Sequence, residues 1–370
     1  MSYDVAIIGG GIAGLSLSID LKKRGHQVIV IEKGTYPRHK VCGEYISMES
    51  HHYLQQLCPA LAAIHLPMIN QFKLTTGSSK AFTTALDLGG FGISRYLLEE
   101  LLFHEAKNQG VVFMLNKKAL DIHFDVHQNK YAIQTSSSAV HAALVCNATG
   151  RKSNLKTAGA KRIDTNYVGI KYHIKMPRNP NLIEIHNFPG GYCGISNIEE
   201  DKSCLCYMVN AKYLQKGQHA ITELEKTNLF KNSHLEEVFT TADFLFKQPV
   251  TVSGINFLIK QPVSDECFFL GDAAGSMAPI TGNGMSMALR SASVLAQHFD
   301  QFFLKEISKQ QLVAKYTQFW NQEFSTRINL SRHLQRLSES SFLANRTIEL
   351  CNAFPSLAKG LINQTHGKPF

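Results

Sequence analysis

The sequence predicts an α/β fold: a Rossmann-like dinucleotide-binding domain, an inserted and mostly antiparallel β-sheet substrate domain, and a helical C-terminus. Three observations carry this. An apolar run at the N-terminus leads straight into Gly9-Gly10-Gly11-Ile12-Ala13-Gly14. A second apolar run, Cys267 to Leu270, enters another glycine-rich turn and then an apolar helix. Between them lie several short strand-like runs. At 370 residues the chain exceeds what one hydrophobic core usually holds, so two packed lobes are expected.

Asp4 to Ile8 is short and apolar, as a buried parallel strand should be. An amphipathic helix is expected from about Ala13 to Arg24, with Gly25 closing it. A second strand, Gln27 to Ile31, ends in Glu32. The glycines serve different ends. Gly9 permits the tight turn, Gly11 lets backbone approach a pyrophosphate, and Gly14 lets helix and strand pack. The helix N-terminus offers free N–H groups to the anion. Glu32 is placed to accept ribose hydroxyls. A lone GxGxxG is a weak signal; its position between strand and helix, with an acid at the next strand's end, makes it specific. It does not separate NAD from FAD.

The distant segments do. Gly271-Asp272 ends the second apolar run, and Pro279 to Gly284 lead into a helix reaching about His298. Asp272 could hold a ribityl hydroxyl, and that helix directs its dipole at negative charge. A third strand, from Leu144, runs into Ala148-Thr149-Gly150-Arg151-Lys152-Ser153.

Together these pieces resemble the flavoprotein monooxygenase and geranylgeranyl reductase superfamily, built like para-hydroxybenzoate hydroxylase. The resemblance spans roughly residues 3–300 and implies a glutathione-reductase-type FAD domain, with FAD as cofactor and NAD(P)H as electron donor. It assigns cofactor contacts to Gly9, Gly11, Ile12, Ala13, Gly14, Glu32 and Lys33, then to Arg38, Cys42, Gly43 and Arg95. Further contacts fall on Ala148, Thr149 and Gly150, on Gly271 and Asp272, and on Pro279, Gly282, Asn283, Gly284 and Met285. Thr149 replaces the family's usual Asp, a residue linked to both FAD and NAD(P)H, so the electron source is in question.

Pro37 to Ser47 looks like the Lys/Arg-x-Cys-Gly segment of geranylgeranyl reductases, whose Cys lies near the flavin. Cys42 is thereby a catalytic candidate, against the plainer reading of a thiol packed beside the ring. Arg95 opens a helix capped by Ser94. Tyr192 is the second catalytic candidate, within Phe188 to Ser196. That stretch lacks the Trp of the reductases' aromatic motif. Halogenases need a Trp-x-Trp-x-Ile-Pro motif; the single Trp here is Trp320, in a C-terminal helical pattern, which disfavours halogenation.

The cofactor domain is expected at 1–70, 95–160 and 255–330, the substrate domain at 71–94 and 161–254, and a helical segment at 331–370. Strands are expected at Phe72 to Thr76, Asn166 to Ile174, Leu182 to His186, Tyr192 to Asn197 and Ser203 to Val209, with a helix from Thr222 to Phe230. Amphipathic spacing runs through Leu312, Tyr316, Phe319, Trp320 and Phe324.

The formal net charge is +9, but the cations are scattered, which disfavours nucleic acid and leaves a peripheral membrane contact or an acidic substrate. No transmembrane run or signal peptide is read, so a cytoplasmic location is expected. The eight cysteines are irregularly spaced and imply neither zinc binding nor disulfides. The leading expectation is an FAD-dependent oxidoreductase that reduces carbon–carbon double bonds of an isoprenoid or other lipid-like substrate, free or carrier-bound. The alternatives are an NAD(P)H-dependent monooxygenase acting on an aromatic or polyketide-like compound, and a non-catalytic flavin-binding protein.

Overall fold

The computed structural model describes all residues except 1, 79, 152–166, 215–216, 218–219, 256, 258–259 and 266. Lys152, Ser153 and the expected start of a strand at Asn166 therefore lie outside the described residues.

The first sheet holds β1 (Ser2–Ile8), β2 (Val28–Ile31), β6 (Val112–Met114), β9 (Ala139–Asn147), β16 (Val263–Ser264) and β17 (Cys267–Phe269). Their order is β16-β17-β9-β1-β2-β6. Strands β17, β9, β1, β2 and β6 run parallel, and β7 (Ala119–Asp125) and β8 (Lys130–Thr135) extend the sheet from β9. Register is decisive here. Ile8 pairs with both Ile31 and Asn147, and Asn147 pairs with Phe269. Three segments distant in sequence thus finish at one sheet edge, where a doubly wound fold places its ligand.

Helix α1 (Ile12–Lys23) packs between α3 (Arg95–Asn108) and α6 (Gly284–Phe303). Every residue from Ile12 to Leu21 is buried, so the expected amphipathic stripe is replaced by burial on all sides. In α3 the buried positions are Leu98, Glu99, Leu102 and Ala106.

The second sheet contains β3 (Tyr45–Ser47), β4 (Met68–Thr75), β5 (Ala81–Gly92), β10 (Tyr167–Lys175), β11 (Leu182–Phe188), β12 (Gly191–Asn197), β13 (Ser203–Asn210), β14 (Asp243–Phe244) and β15 (Val250–Ile255). Its order is β14-β10-β13-β12-β11-β4-β5-β3, with β15 also on β10. Among the described residues of this sheet only the β11–β4 pair is parallel. The short α2 (His51–Leu57) follows β3. Helices α4 (Ala220–Thr227) and α5 (Ser233–Thr241) cover one face through Leu224, Leu235 and Val238, with Leu229 of the turn between them.

Four sequence boundaries shift. Strand β3 pairs with Gly90 to Gly92, and β4 begins at Met68, so parts of 1–70 belong to the second sheet. The long β5 was not expected, because its Asp and glycines break the strand pattern. The expected helix at 222–230 is α4 plus a separate turn at Leu229–Lys231. Finally, α7 (Lys309–Glu339) runs unbroken through the expected boundary at 330. Leu312, Tyr316, Trp320 and Phe324 are fully buried along it, whereas Phe319 is only partly covered. Helices α8 (Ser341–Ala353) and α9 (Pro355–Thr365) then fold back onto β5.

Candidate functional site

One cavity of about 790 Å³ runs from the carboxyl edge of the first sheet to the C-terminal helices. At its first end are Gly9, Gly11, Ile12 and Ala13. Gly9 has φ +103°, and a Cβ there would stand 2.5 Å from the Ala148 carbonyl oxygen. Glycine is needed for β9 to end against this turn. Gly14 does not line the cavity: a Cβ on it would collide with the Gly9 carbonyl, so it serves packing instead.

Glu32 lies at the end of β2 with its carboxylate anchored twice. Oε2 accepts from the Gly10 N–H at 2.7 Å, and Oε1 accepts from Gly34 N–H at 2.9 Å and Arg38 Nη1 at 2.7 Å. Burial alone would raise its pKa, but Arg38 and the two N–H groups outweigh it and hold the value at about 2. It is therefore charged at neutral pH, and it faces the cavity beside the exposed Lys33.

Three cations converge opposite α1. Lys40 Nζ lies 3.0 Å from Glu99, Arg38 Nε lies 3.6 Å from it, and Arg95 pairs with it directly. Glu99 is fully buried. Burial disfavours the Arg95 charge, but Glu99 and the Cys42 sulfur more than compensate and its pKa is raised. A Cβ on Gly11 would stand 3.4 Å from Lys40 Nζ and 3.8 Å from Arg95 Nη2. Nε of both Arg38 and Arg95 is buried without a hydrogen-bond partner among the described residues. A glycine cradle at a helix N-terminus, faced by more cations than carboxylates, fits a pyrophosphate.

Cys42 and Gly43 line the middle of the cavity. Cys42 Sγ is 3.7 Å from Met285 Sδ and accepts from the Glu44 N–H at 3.5 Å. A network that the sequence did not reveal fixes this loop. Glu44 is fully buried and bonds Lys171, His173 Nε2 at 2.6 Å and the Arg95 N–H at 2.7 Å. Burial pushes the Glu44 carboxyl up, yet His173 and Lys171 hold it below its ordinary value. Glu44, His173 and Cys204 lie close enough to share a metal ion, but the Lys171 ammonium already occupies the carboxylate.

Ala148, Thr149 and Gly150 line the next part of the cavity. Both the N–H and the hydroxyl of Thr149 donate to Asn147 Oδ1, at 3.1 and 2.7 Å. Gly271 and Asp272 follow, with Asp272 paired to Arg151 at 3.0 Å. Pro279, Gly282, Gly284 and Met285 also line the cavity. Asn283 does not; its amide donates to the Thr365 carbonyl at 2.9 Å and ties the start of α6 to the end of α9. Its amide nitrogen thus serves the joint between two helices.

Tyr192 stands in the β12 wall, 4% exposed, and burial keeps its hydroxyl well above the usual range and protonated. Beyond it the cavity becomes apolar. Phe72, Leu74, Leu86, Ile183 and Ile185 form one wall; Leu334, Ala344, Ala358 and Ile362 form the other. A few polar groups, among them Asn187, Thr347 and Thr365, interrupt this lining, and two polar atoms stand out. The Tyr45 hydroxyl and His366 Nε2 are buried without a partner among the described residues. Sequence reasoning missed both, together with Lys171, His173 and Glu99. Only Glu99 left a signal, four residues after Arg95 on one helix face.

Dinucleotide cradle, anchored ribose acid, and a second acid-tipped strand at the same sheet edge define an FAD-dependent oxidoreductase. The chain belongs to the family described as FAD binding domain, whose model matches residues 2–321. It is 25% identical over 374 residues to conditioned medium factor receptor 1 of Dictyostelium discoideum, covering 90% of this chain and 71% of that one. It is 23% identical over 317 residues to ubiquinone hydroxylase UbiL of Rhodospirillum rubrum, covering 80% and 71%. Its fold is that of the myxobacterial FAD-dependent halogenase CndH, with TM-score 0.78 and 16% identity, covering 100% of this chain and 94% of that one. Trp320 is fully buried in α7 and stands outside the cavity lining. With an enzyme family established, the non-catalytic reading is set aside.

Proposed function

We propose that the protein is an FAD- and NAD(P)H-dependent monooxygenase that hydroxylates an apolar, lipid-like substrate. This replaces double-bond reduction as the leading reading, because the named hydroxylase relative favours the oxygen-using alternative. The observation that carries the substrate class is the apolar chamber contiguous with the cofactor groove. FAD, when bound, would supply the redox chemistry: with a hydride from NAD(P)H, a proton and molecular oxygen, one oxygen atom enters the substrate and the other leaves as water.

The chain's own groups supply position. Arg38, Lys40 and Arg95 would hold the pyrophosphate, and the apolar walls would exclude water. His366 Nδ1 lies 3.0 Å from the Ile362 carbonyl, and burial, the larger influence, keeps the ring neutral. With its proton on Nδ1, Nε2 is an acceptor for a substrate hydroxyl. Tyr45 offers a donor. Asn283, bonded to Thr365, holds this polar pair's helix end against the Gly282–Gly284 turn. A ring carrying a hydroxyl and a carbonyl, with an aliphatic tail along Leu86 and Ile362, matches that arrangement.

The test uses the purified holoprotein with a prenylated phenol. Faster NAD(P)H consumption in air, and label from isotopic oxygen gas in the product, are expected. Turnover that persists without oxygen and yields a saturated tail would overturn the proposal in favour of a reductase.

A further inference from the structure

Sixteen large hydrophobic side chains are exposed among the described residues, and seven of them fall between 337 and 361. On α8, Leu343 and Leu350 lie seven residues apart, on α9 Leu357 and Leu361 lie four apart, and Phe354 stands in the link between the two helices. Phe342, Leu357 and Leu350 are 66%, 65% and 61% exposed. The opposite positions, Ala344, Ile348 and Ala358, are buried against the body of the protein. Scattered exposed leucines need no explanation, but an apolar stripe on two consecutive helices and their link does.

Cations outnumber carboxylates in this part of the chain, although Arg327 is buried against Glu49 and Lys359 pairs with Asp87. From 327 onward the chain carries Arg327, Arg332, Arg336, Arg346, Lys359 and Lys368 against Glu339 and Glu349. Both carboxylates are engaged: Glu339 accepts from the Tyr167 hydroxyl, and Glu349 is held by Lys80 and Arg346. Arg336, Arg346 and Lys368 are exposed, and Arg346 lies over the Phe342 ring. The stripe is also continuous with the cavity. Leu337 and Leu361 are both exposed and cavity-lining, so the apolar chamber opens onto the apolar surface.

We infer that the outer face of α8 and α9 docks onto an anionic lipid bilayer and takes the apolar substrate from it. Leucine and phenylalanine side chains enter the acyl boundary while the arginines meet the headgroups. No helix among the described residues is long and apolar enough to cross a membrane, so contact lies in the interface plane. Delivery to the chamber rests on the apolar-substrate reading above; docking does not.

The experiment is flotation of the holoprotein with vesicles of phosphatidylcholine alone, or with phosphatidylglycerol added. Binding is expected with the anionic vesicles and weakened by salt. In the L350S/L357S double variant it should fall by about tenfold or more, with the flavin spectrum unchanged. R336Q/R346Q should weaken it less. Wild-type protein that stays with the aqueous phase, or a double variant that binds as well as wild type, would overturn the inference. So would sedimentation showing a wild-type dimer that this variant splits, since the stripe would then serve a second copy. Vesicle binding is read without turnover, so it stands or falls separately from hydroxylation.

Discussion

At the Gly9–Glu32 end of the cavity, polar groups are anchored by near neighbours: Glu32 bonds Gly10, Gly34 and Arg38, and Glu99 gathers Arg38, Lys40 and Arg95. At the Phe72–Ile362 end, side chains from β4, β5, β11, α7, α8 and α9 meet across the chamber with only Tyr45 and His366 left unpartnered among the described residues there. The first end is rigid and preorganised for one anion, where specificity comes from charge and backbone approach. The second is a surface of shape and volume, which can be altered without disturbing cofactor binding. The proposed hydroxylation would need both: electrostatic order where charge is held, and apolar enclosure for an apolar substrate.

The two ends are joined by the Glu44–Lys171–His173 network, so the strongest way to break the comparison is to break that join. Lys171→Met leaves Glu44 charged and short of a partner in a fully buried site. It should cost about 3 to 5 kcal/mol in denaturant unfolding and loosen both ends at once. Gly14→Val strikes the first end alone. Its side chain would be driven into the Gly9 carbonyl, destabilising by about 3 kcal/mol with loss of flavin on purification.

Acid titration sharpens the same contrast. The Glu32 pKa is lowered from 4.5 to about 2, so its contribution is complete above 4.5 and lost as pH falls towards 2. Thermal melts over that window should lose stability that Glu32→Gln does not lose. Leu86→Trp fills the second end: turnover of an apolar substrate should fall about tenfold or more, while flavin stoichiometry stays at the wild-type value. Asn283→Ala should have the smallest effect, about 1 kcal/mol in unfolding, because Arg327 still donates to the Thr365 carbonyl.

The sequence by itself determined the cofactor end. Glycine spacing, an acid closing β2 and an acid closing β17 are local signals, each dictated by backbone geometry within about thirty residues. Most of the positions named from them line the cavity; Gly14 and Asn283, which do not, are turned to packing and to an interhelical bond. Neither β5 nor the boundaries at 70 and 330 were legible, because they depend on which distant strand or helix offers a partner. Only the tertiary structure decided the apolar end. Glu44, Lys171 and His173 are far apart in the chain, as are Tyr45 and His366, and their meeting depends on strand register and helix docking. A charge or an apolar residue announces what it needs, but its partner is chosen by the fold, since burial energies are non-directional until packing gives them direction.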